Sequence, residues 1–600
     1  MPGIFGVVGS VSNSELEEMG RRLSHRGVRF RWFEVHSNVH LGLVDHPDDQ
    51  EVTAFHGMTS VVDTAFGEHT NVIRAALGLA DPTLLLQKQG NLPFAFAAFR
   101  PATRTVLLAR DYFGVKPLHY CRLPSGGLAF ATEYKALLAI NEVDAVPDLE
   151  AIAHLQIYKA VPPGRTLLKG IWPVPPGAVL HLDRQGNLLQ THRMREIDLY
   201  VRRMNEATAC QRVREKLIDA TARLVAGRSQ IALALSGGID SLSVAAMARH
   251  VEPQANLVAF TAGQCENDPE VHRAARAMEH LSGRHETIIV SNEELIAKLP
   301  LAIWHLENPI GRSETFQYFA IAKHAREAGV DCLLTGMGAD LLFGGMPRHK
   351  VLWMAEKLPQ LSKHLLDFFM STQTGQMPSS WLSRIFMRAY YRGSLIPPPS
   401  VLNAPACEMP ELIAEPGPEF LNRCLMLDGQ EPTSRTLARI ERPLQAFSVD
   451  YTSPYLDTSV VEFAFTIPGE FKIKNGIQKY ILRKAMQPLL GDHLSKAPKE
   501  LMRMKQNVEF GQALDSLAER YLSNDRVRRR GFFDDLQVKR IRDAALRTTH
   551  PENVMRLWTM LATEIWAELY IDGRGRHPAP SSALATPRTE WATAPAPVLT

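Results

Sequence analysis

The chain has little that would cross-link it, insert it into a membrane or draw it to a polyanion. Six cysteines occur in 600 residues, at positions 121, 210, 265, 332, 407 and 424, and none forms a Cys-x-x-Cys pair. That spacing supports neither a zinc site nor a disulfide framework, and it fits a reducing cytosol. No run of 18 or more apolar residues is present, so no membrane-spanning helix is expected. Charge of one sign is also lacking. Lys and Arg number 67 against 64 Asp and Glu, for a net +3, which argues against a dominant nucleic-acid surface. The start, Met1-Pro2-Gly3-Ile4-Phe5-Gly6-Val7-Val8-Gly9, has neither the basic residues nor the apolar core of a signal peptide. These absences predict a cytoplasmic protein with no nucleic-acid or membrane partner. No internal repeat is visible, and the length suits two to four domains.

What is there is concentrated in Ile231-Ala232-Leu233-Ala234-Leu235-Ser236-Gly237-Gly238-Ile239-Asp240-Ser241. An apolar run ending in small residues suits a central strand of a parallel sheet. The two glycines permit a tight turn and close approach of backbone to a ligand. Residues Ile239 to His250 follow with a helical pattern, and N–H groups at a helix N-terminus favour bound phosphate. Asp240 does not suit direct phosphate contact, but it makes sense as a ligand of Mg2+ bridging phosphates. No Gly-Lys-Ser/Thr follows, which excludes a Walker A loop.

Residues 1 to about 200 read as strand-rich, with strands at Ile4–Val8, Phe94–Phe99, Thr105–Ala109 and Gly127–Ala131. Pro-rich loops follow at 161–164 and 173–177. From about 205, apolar strands at 231–235, 257–261, 286–290 and 331–335 alternate with helices such as Glu270–Leu281, the pattern of a doubly wound parallel sheet. Ligands of such sheets bind at the carboxyl ends of the strands. Residues 345–570 read as mostly helical, and residues 573–600, rich in Pro, Ala, Ser and Thr, as a disordered tail.

A second acidic loop, Thr335-Gly336-Met337-Gly338-Ala339-Asp340, follows the fourth of these strands. Asp340 stands after a strand end, as Asp240 does. Two carboxylates converging beside a triphosphate suggest a Mg2+ site.

These loops, together with the first domain, resemble the asparagine synthetase B family over roughly residues 1 to 510. The first domain carries Gly3-Ile4-Phe5-Gly6, His25-Arg26-Gly27, Arg110 to Leu118 and Ala131-Thr132-Glu133-Tyr134-Lys135-Ala136. The second carries Ser236–Ser241, Gly336–Asp340, Ser453-Pro454-Tyr455-Leu456-Asp457 and Lys479-Tyr480-Ile481-Leu482-Arg483. The resemblance implies an α/β chain: an N-terminal class II glutaminase-like (Ntn-type) α+β sandwich over 1–200, then an ATP-pyrophosphatase synthetase domain over 205–570. It implies that a substrate carboxylate attacks the α-phosphorus of ATP, pyrophosphate leaves, and an amine takes the acyl group from AMP. By matching positions, Ser236, Gly237, Gly238 and Ser241 would cradle pyrophosphate, and Asp240 and Asp340 would hold Mg2+. Leu235, Phe260 and Gly336 would lie against the nucleotide. Lys479 and Lys499 would neutralise charge on the phosphates and transition state, with Lys496 the alternative to Lys499.

Three departures from the family pattern bear on function. Pro2 stands where the glutaminase nucleophile is a cysteine, and proline forms no thioester. The glutamine-holding Asn-Gly-Glu segment is missing, and Val28-Arg29 follow His25-Arg26-Gly27 in place of Pro-Asp. The first domain is therefore expected to be an inactive remnant. The amine must then be free ammonia or part of the substrate, and an amine on the substrate would close a ring. β-Lactam synthetases and lasso-peptide macrolactam synthetases are branches of the family that do this. Finally, Met337 occupies the position of a Glu in asparagine synthetases and a Tyr in β-lactam synthetases, and methionine takes no proton. A terminal α-amine, with a pKa near 8, needs less help than an amide nitrogen. Met337 also suits an apolar substrate pocket.

The expected activity is accordingly a lasso-type macrolactam synthetase using ATP and Mg2+ on a leaderless precursor peptide. A leader peptidase and a leader-recognition protein are the implied partners. The alternatives are a β-lactam synthetase-like cyclase, an ammonia-dependent amidotransferase and a degenerate scaffold.

Overall fold

A computed structural model describes residues 3–27, 29–45, 52–55, 58–64, 93–158, 161–193, 199–309, 314–357, 364, 419–428, 431–497, 508–547 and 551–578. Pro2, Val28, Lys499 and residues 579–600 lie outside the described residues, as does most of the stretch 46–92.

Two six-stranded antiparallel sheets form the first part of the chain. One runs Ile171–Pro173, His119–Leu123, Gly127–Ala131, Gly3–Val8, Val39–Asp45, Arg29–His36. The other runs Leu188–Arg193, Ala178–Leu182, Thr105–Arg110, Phe94–Arg100, Met58–Thr64, Val52–Phe55. Side chains alternate across each strand. Ile4 and Val8 pack between the sheets against Ala97, Phe99, Val106 and Leu108. Phe5 and Val7 point the other way, toward Leu16 and Met19 of the helix Asn13–Arg22. Strands covered on both faces carry apolar residues on both, which is why Phe94–Phe99 reads as one continuous apolar run.

The second part is built on a five-stranded sheet whose neighbouring strands are all parallel: Arg284–Ile289, Asn256–Gly263, Gln230–Ala234, Cys332–Leu334, Asp450–Thr452. The expected strands are present with ends shifted by one or two residues. The fifth, Asp450–Thr452, lies in the stretch read as helical. In chain order the sheet runs third, second, first, fourth, fifth. The winding direction therefore reverses between Gln230–Ala234 and Cys332–Leu334, and a crevice for ligands opens at such a switch point. Both glycine-rich loops leave the sheet there.

The last helices return to the first part of the chain. Val508–Tyr521, Asp535–Arg547 and Pro551–Ala567 share one apolar core with Phe5, Leu16 and Ile152 and with the helix Asn292–Leu306. Trp566 Nε1 donates to Tyr134 Oη at 3.0 Å and to the Glu307 carbonyl at 3.1 Å. The first residues of the expected tail are held too: Arg574 donates to the carbonyls of Ile140 (3.1 Å) and Val143 (3.0 Å), and Trp304 Nε1 to that of Gly575 (2.9 Å). Among the described residues no helix is long and apolar enough to cross a membrane.

Candidate active site

The strand Gln230–Ala234 ends in a clasped turn. The Leu235 N–H donates to the Phe260 carbonyl (3.0 Å), and Thr261 Oγ1 donates to the Leu235 carbonyl (2.7 Å), which fixes the strand exit. The Ser236 N–H donates to Ser241 Oγ (3.2 Å), and the two hydroxyls lie 3.2 Å apart. Gly237 takes a φ of +69°, and a Cβ there would meet the Glu270 carbonyl at 3.0 Å. Glycine is needed on both counts. Gly238 then caps the helix Ile239–Val251, with Asp240 in its first turn.

The second loop is pressed against the first. A Cβ on Gly336 would stand 2.7 Å from the Ser241 nitrogen. Two bonds to the fifth strand and its exit pin the loop: the Thr335 N–H to the Thr452 carbonyl (2.9 Å) and Ser453 Oγ to the Met337 carbonyl (2.7 Å). Buried Tyr455 reaches the Asp240 carbonyl at 3.3 Å. The segment Ser453–Asp457 therefore ties the two loops together. Asp340 lies in the first turn of the short helix Ala339–Phe343, whose N-cap is Gly338 with a φ of +96°. Asp340 thus faces the crevice without serving as the cap.

Lys479 joins the loops electrostatically. Its ammonium pairs with Asp240 Oδ2 and lies 2.6 Å from Asp340 Oδ1. The lysine is 1% exposed, the two aspartates 22% and 24%. Burial works against the lysine's charge, but the two carboxylates outweigh it and raise its pKa above the usual value. A cation is thus already held between the carboxylates predicted to bind one. Two carboxylates are too few to complete a Mg2+ shell, so phosphate oxygens and waters would have to supply the rest. The donor set fits a metal that arrives with ATP.

Leu235, Ser236, Asp240, Ser241, Gly336, Met337 and Asp340 all line one cavity of about 150 Å3. Gly237 and Gly238 form the turn beneath it, and Phe260 is buried, 1% exposed, bonded through its backbone to Leu235. Lys479 reaches the cavity through the two aspartates. Lys496 is exposed at the C-cap of the helix Tyr480–Ser495, and Lys499 lies outside the described residues. Sequence reasoning missed Tyr318 and Ile321 on one helix, Thr436 and Leu437 on another, and Arg348 and His349 in the first turn of the helix Pro347–Lys357, all of which line the cavity. The residues on the first two helices carry no local signal, because only the packing of distant elements brings them there. Arg348 and His349 could have been suspected from their position just after Gly344-Gly345.

The first domain's matching motifs converge elsewhere. Glu133 is fully buried and binds Arg26 (2.5 Å), Arg442 (2.9 Å), His25 (3.0 Å) and Lys135. Arg26 continues to Glu441 (2.9 Å), and Arg442 to Glu307 (2.8 Å). Burial pushes the Glu133 carboxyl up, but these cations hold it well below the usual range. Lys116 similarly pairs with Asp450, at the start of the fifth parallel strand (3.2 Å). His25-Arg26, Lys116 and Glu133-Tyr134-Lys135 are thus where the two halves of the chain are joined.

Two family models match the chain. One, described as asparagine synthase, covers residues 212–568, and the other, a glutamine amidotransferase domain, covers 68–193. A putative glutamine-hydrolysing asparagine synthetase of Mycobacterium tuberculosis is 26% identical over 511 residues, covering 80% of this chain and 76% of that one. Asparagine synthetase 1 of Bacillus subtilis is 25% identical, covering 80% and 78%. A carboxyethyl-arginine β-lactam synthase of Streptomyces clavuligerus is 32% identical over 261 residues, covering 43% of this chain and 46% of that one. A glutamine amidotransferase-like sandwich is thus followed by a parallel-sheet synthetase fold with the two glycine-rich loops at its switch point, and the chain belongs to the asparagine synthase family of ATP-dependent amide-forming ligases, which release AMP and pyrophosphate.

Proposed function

We propose that the protein closes a macrolactam ring, as in lasso-peptide biosynthesis. It would adenylate an Asp or Glu side-chain carboxylate of a leaderless precursor peptide and join it to that peptide's N-terminal amine. The observation that carries this reading is Met337, which lines the cavity beside Ser236, Asp240 and Asp340 and supplies no proton acceptor. A nucleophile that is substantially neutral near pH 7 suits such a site, and an α-amine has that property. Pro2 adds support, since a chain without the glutaminase nucleophile has no ammonia source of its own.

In this reading Ser236 to Ser241 orient the pyrophosphate with backbone N–H groups, hydroxyls and the positive end of the helix Ile239–Val251. Asp240 and Asp340 would hold Mg2+, which neutralises charge on the departing pyrophosphate. Lys479, released from Asp240 and Asp340, would turn its ammonium to the phosphates. Lys499 is assigned the same work. Leu235, Phe260 and Gly336 would form the nucleotide's bed. The substrate carboxylate attacks the α-phosphorus and expels pyrophosphate, and the amine then adds to the acyl carbon and expels AMP. Residues 1–200 would act as an inactive amidotransferase-like strut. The helical part of 345–570 would hold the peptide, delivered by a leader peptidase and a leader-recognition protein.

The resemblance to the Streptomyces β-lactam synthase favours a second reading, ring closure on a small amino acid. Pyrophosphate release with ATP, Mg2+ and a panel separates these readings. The panel holds aspartate plus ammonia, small β-amino acids, and a leaderless peptide with an Asp or Glu. Loss of one water from the peptide alone, seen by mass spectrometry, is the expected result. Turnover only with aspartate and ammonia would overturn the cyclase reading. No release with any member, and no effect of Asp240→Ala, would leave the degenerate scaffold.

A further inference from the structure

Residues 110–118 belong to the first domain but reach into the second. Phe113 and Val115 share one buried core with Leu233, Leu257 and Leu333 of the parallel sheet. The segment is held rigid from within. The Asp111 carboxylate accepts the N–H groups of Phe113 (3.2 Å), Val115 (2.9 Å) and Lys116 (2.9 Å). The Arg110 guanidinium donates to the carbonyls of Gly114 (2.6 Å), Lys116 (2.7 Å) and Val174 (2.7 Å). This frame aims the Lys116 ammonium at Asp450 Oδ1, 3.2 Å away, with the lysine 0% and the aspartate 1% exposed. Gln445 Nε2 donates to the same oxygen at 3.4 Å.

Asp450 opens the strand Asp450–Thr452, which stands at the edge of the parallel sheet and pairs on one side, with Cys332–Leu334. Three residues make few backbone bonds, so little besides side chains fixes such a strand. A buried ion pair adds little net stability but tolerates little displacement, because a partner moved away is left charged where nothing solvates it. The pair therefore suits the setting of register. The strand in turn fixes the second loop: the Thr452 carbonyl accepts the Thr335 N–H at 2.9 Å, and Ser453 Oγ donates to the Met337 carbonyl at 2.7 Å. Asp340 stands at the end of that loop.

We propose that Lys116 is a positioning residue for adenylation. Through Asp450 it sets the place of the strand Asp450–Thr452, and through the strand that of Met337 and Asp340 against the first loop. The first domain thus serves the chemistry with a lysine that never touches substrate. Its effect falls on turnover more than on ATP binding. The phosphate-cradling turn keeps its own clasp between Ser236 and Ser241, while the departing charge loses an accurately placed carboxylate. This deepens the functional reading above and rests on its adenylation step, whichever amine completes the amide.

The test uses the full-length protein and whichever panel carboxylate supports pyrophosphate release. It reads ATP–pyrophosphate exchange per folded molecule, beside the urea midpoint and the deuterium uptake of residues 333–340. Lys116→Met leaves Asp450 buried without its cation. Lys116→Met with Asp450→Asn removes the joint and leaves no charge alone, so its urea midpoint should return toward wild type. The expected result is kcat reduced by about 10-fold to 10²-fold in both variants, KM for ATP little changed, and faster deuterium uptake in 333–340 in both. Glu133→Ala, which breaks the other buried joint, should lower the urea midpoint and leave kcat and that uptake as they are. Three results overturn the proposal: wild-type kcat in the double variant, unchanged uptake in 333–340 in both variants, or the same fall in kcat in Glu133→Ala. Absence of exchange by the wild-type protein with every panel member would overturn the functional reading itself, and deuterium uptake alone would then decide whether Lys116 holds the loop.

Discussion

Around Glu133, three carboxylates (Glu133, Glu307, Glu441) and three cations (Arg26, Lys135, Arg442) are closed off from solvent between the two halves of the chain. Around Lys479, one lysine holds two carboxylates that stay about a quarter exposed on a cavity. Both clusters come from short motifs that resemble the same family, and both pair Asp or Glu with Lys or Arg. The difference lies in what surrounds them. Every member of the first cluster is enclosed by protein, so its charges are bound for good. The second opens on space, so its carboxylates can exchange a lysine for another cation. A motif in the sequence therefore marks a place where charge is organised, and burial decides whether that charge joins or reacts.

Four perturbations test this contrast. Glu133→Ala would leave Arg26, Lys135 and Arg442 buried around nothing, and breaking such a network costs about 3–5 kcal/mol. Chemical denaturation should show that loss, with residual activity falling only as folded protein is lost. Asp240→Asn should do the reverse: pyrophosphate release should fall on the order of 10³-fold while the denaturation midpoint holds. A collapse of stability in Asp240→Asn would break the comparison.

Acid separates the clusters next. Burial holds the His25 imidazole down to about 4, against a usual 6.5. Between those values the unfolded chain takes up the proton that the folded chain refuses. The His25 contribution is therefore constant above pH 6.5 and costs about 3 kcal/mol of stability as pH drops toward 4, and buried His119 and His305, also held below the usual value, add to the loss in the same direction. Lys479, with its pKa raised, contributes fully below 10.5 and loses its contribution only at alkaline pH. Urea midpoints from pH 7 to 4 should show a slope that His25→Gln reduces and Lys479→Met leaves in place. The smallest effect is expected of Gly345→Ala. Its Cβ would collide with Asp340 Oδ1 and the Lys479 Cε, both side-chain ends that can shift. Stability should drop by about 1 kcal/mol, and pyrophosphate release by up to roughly 10²-fold, because the carboxylates are displaced.

Much of the second domain is legible in the sequence because its signals are local. The strand at 230–234, its glycine turn and the helix from Ile239 lie within some twenty residues, each with its own periodicity. Asp340 follows the same grammar. The strand Asp450–Thr452 is not legible, since three residues among helices carry no period, yet it pins the second loop. The cavity residues Tyr318 and Thr436 are hidden for a similar reason: their helices meet only in the folded chain. The sequence marks Lys479 as a counter-charge to phosphate, but its hold on both aspartates depends on a register that the sequence does not carry. The first domain's motifs were visible as residues, and their joining role emerges only from the packing of Arg442 and Glu441 against them.

The hydrogen bond from Trp566 to Tyr134 spans 432 residues. Its consequence concerns the order in which the molecule is made. The core beneath Phe5 and Leu16 stays unfinished until the helix Pro551–Ala567 has left the ribosome, although the residues on its first face are the earliest synthesised. At about 5–20 residues per second, that apolar face waits on the order of half a minute or more for its cover. Such distant closure makes folding slow. It leaves the nascent first sheet the segment with the longest exposure.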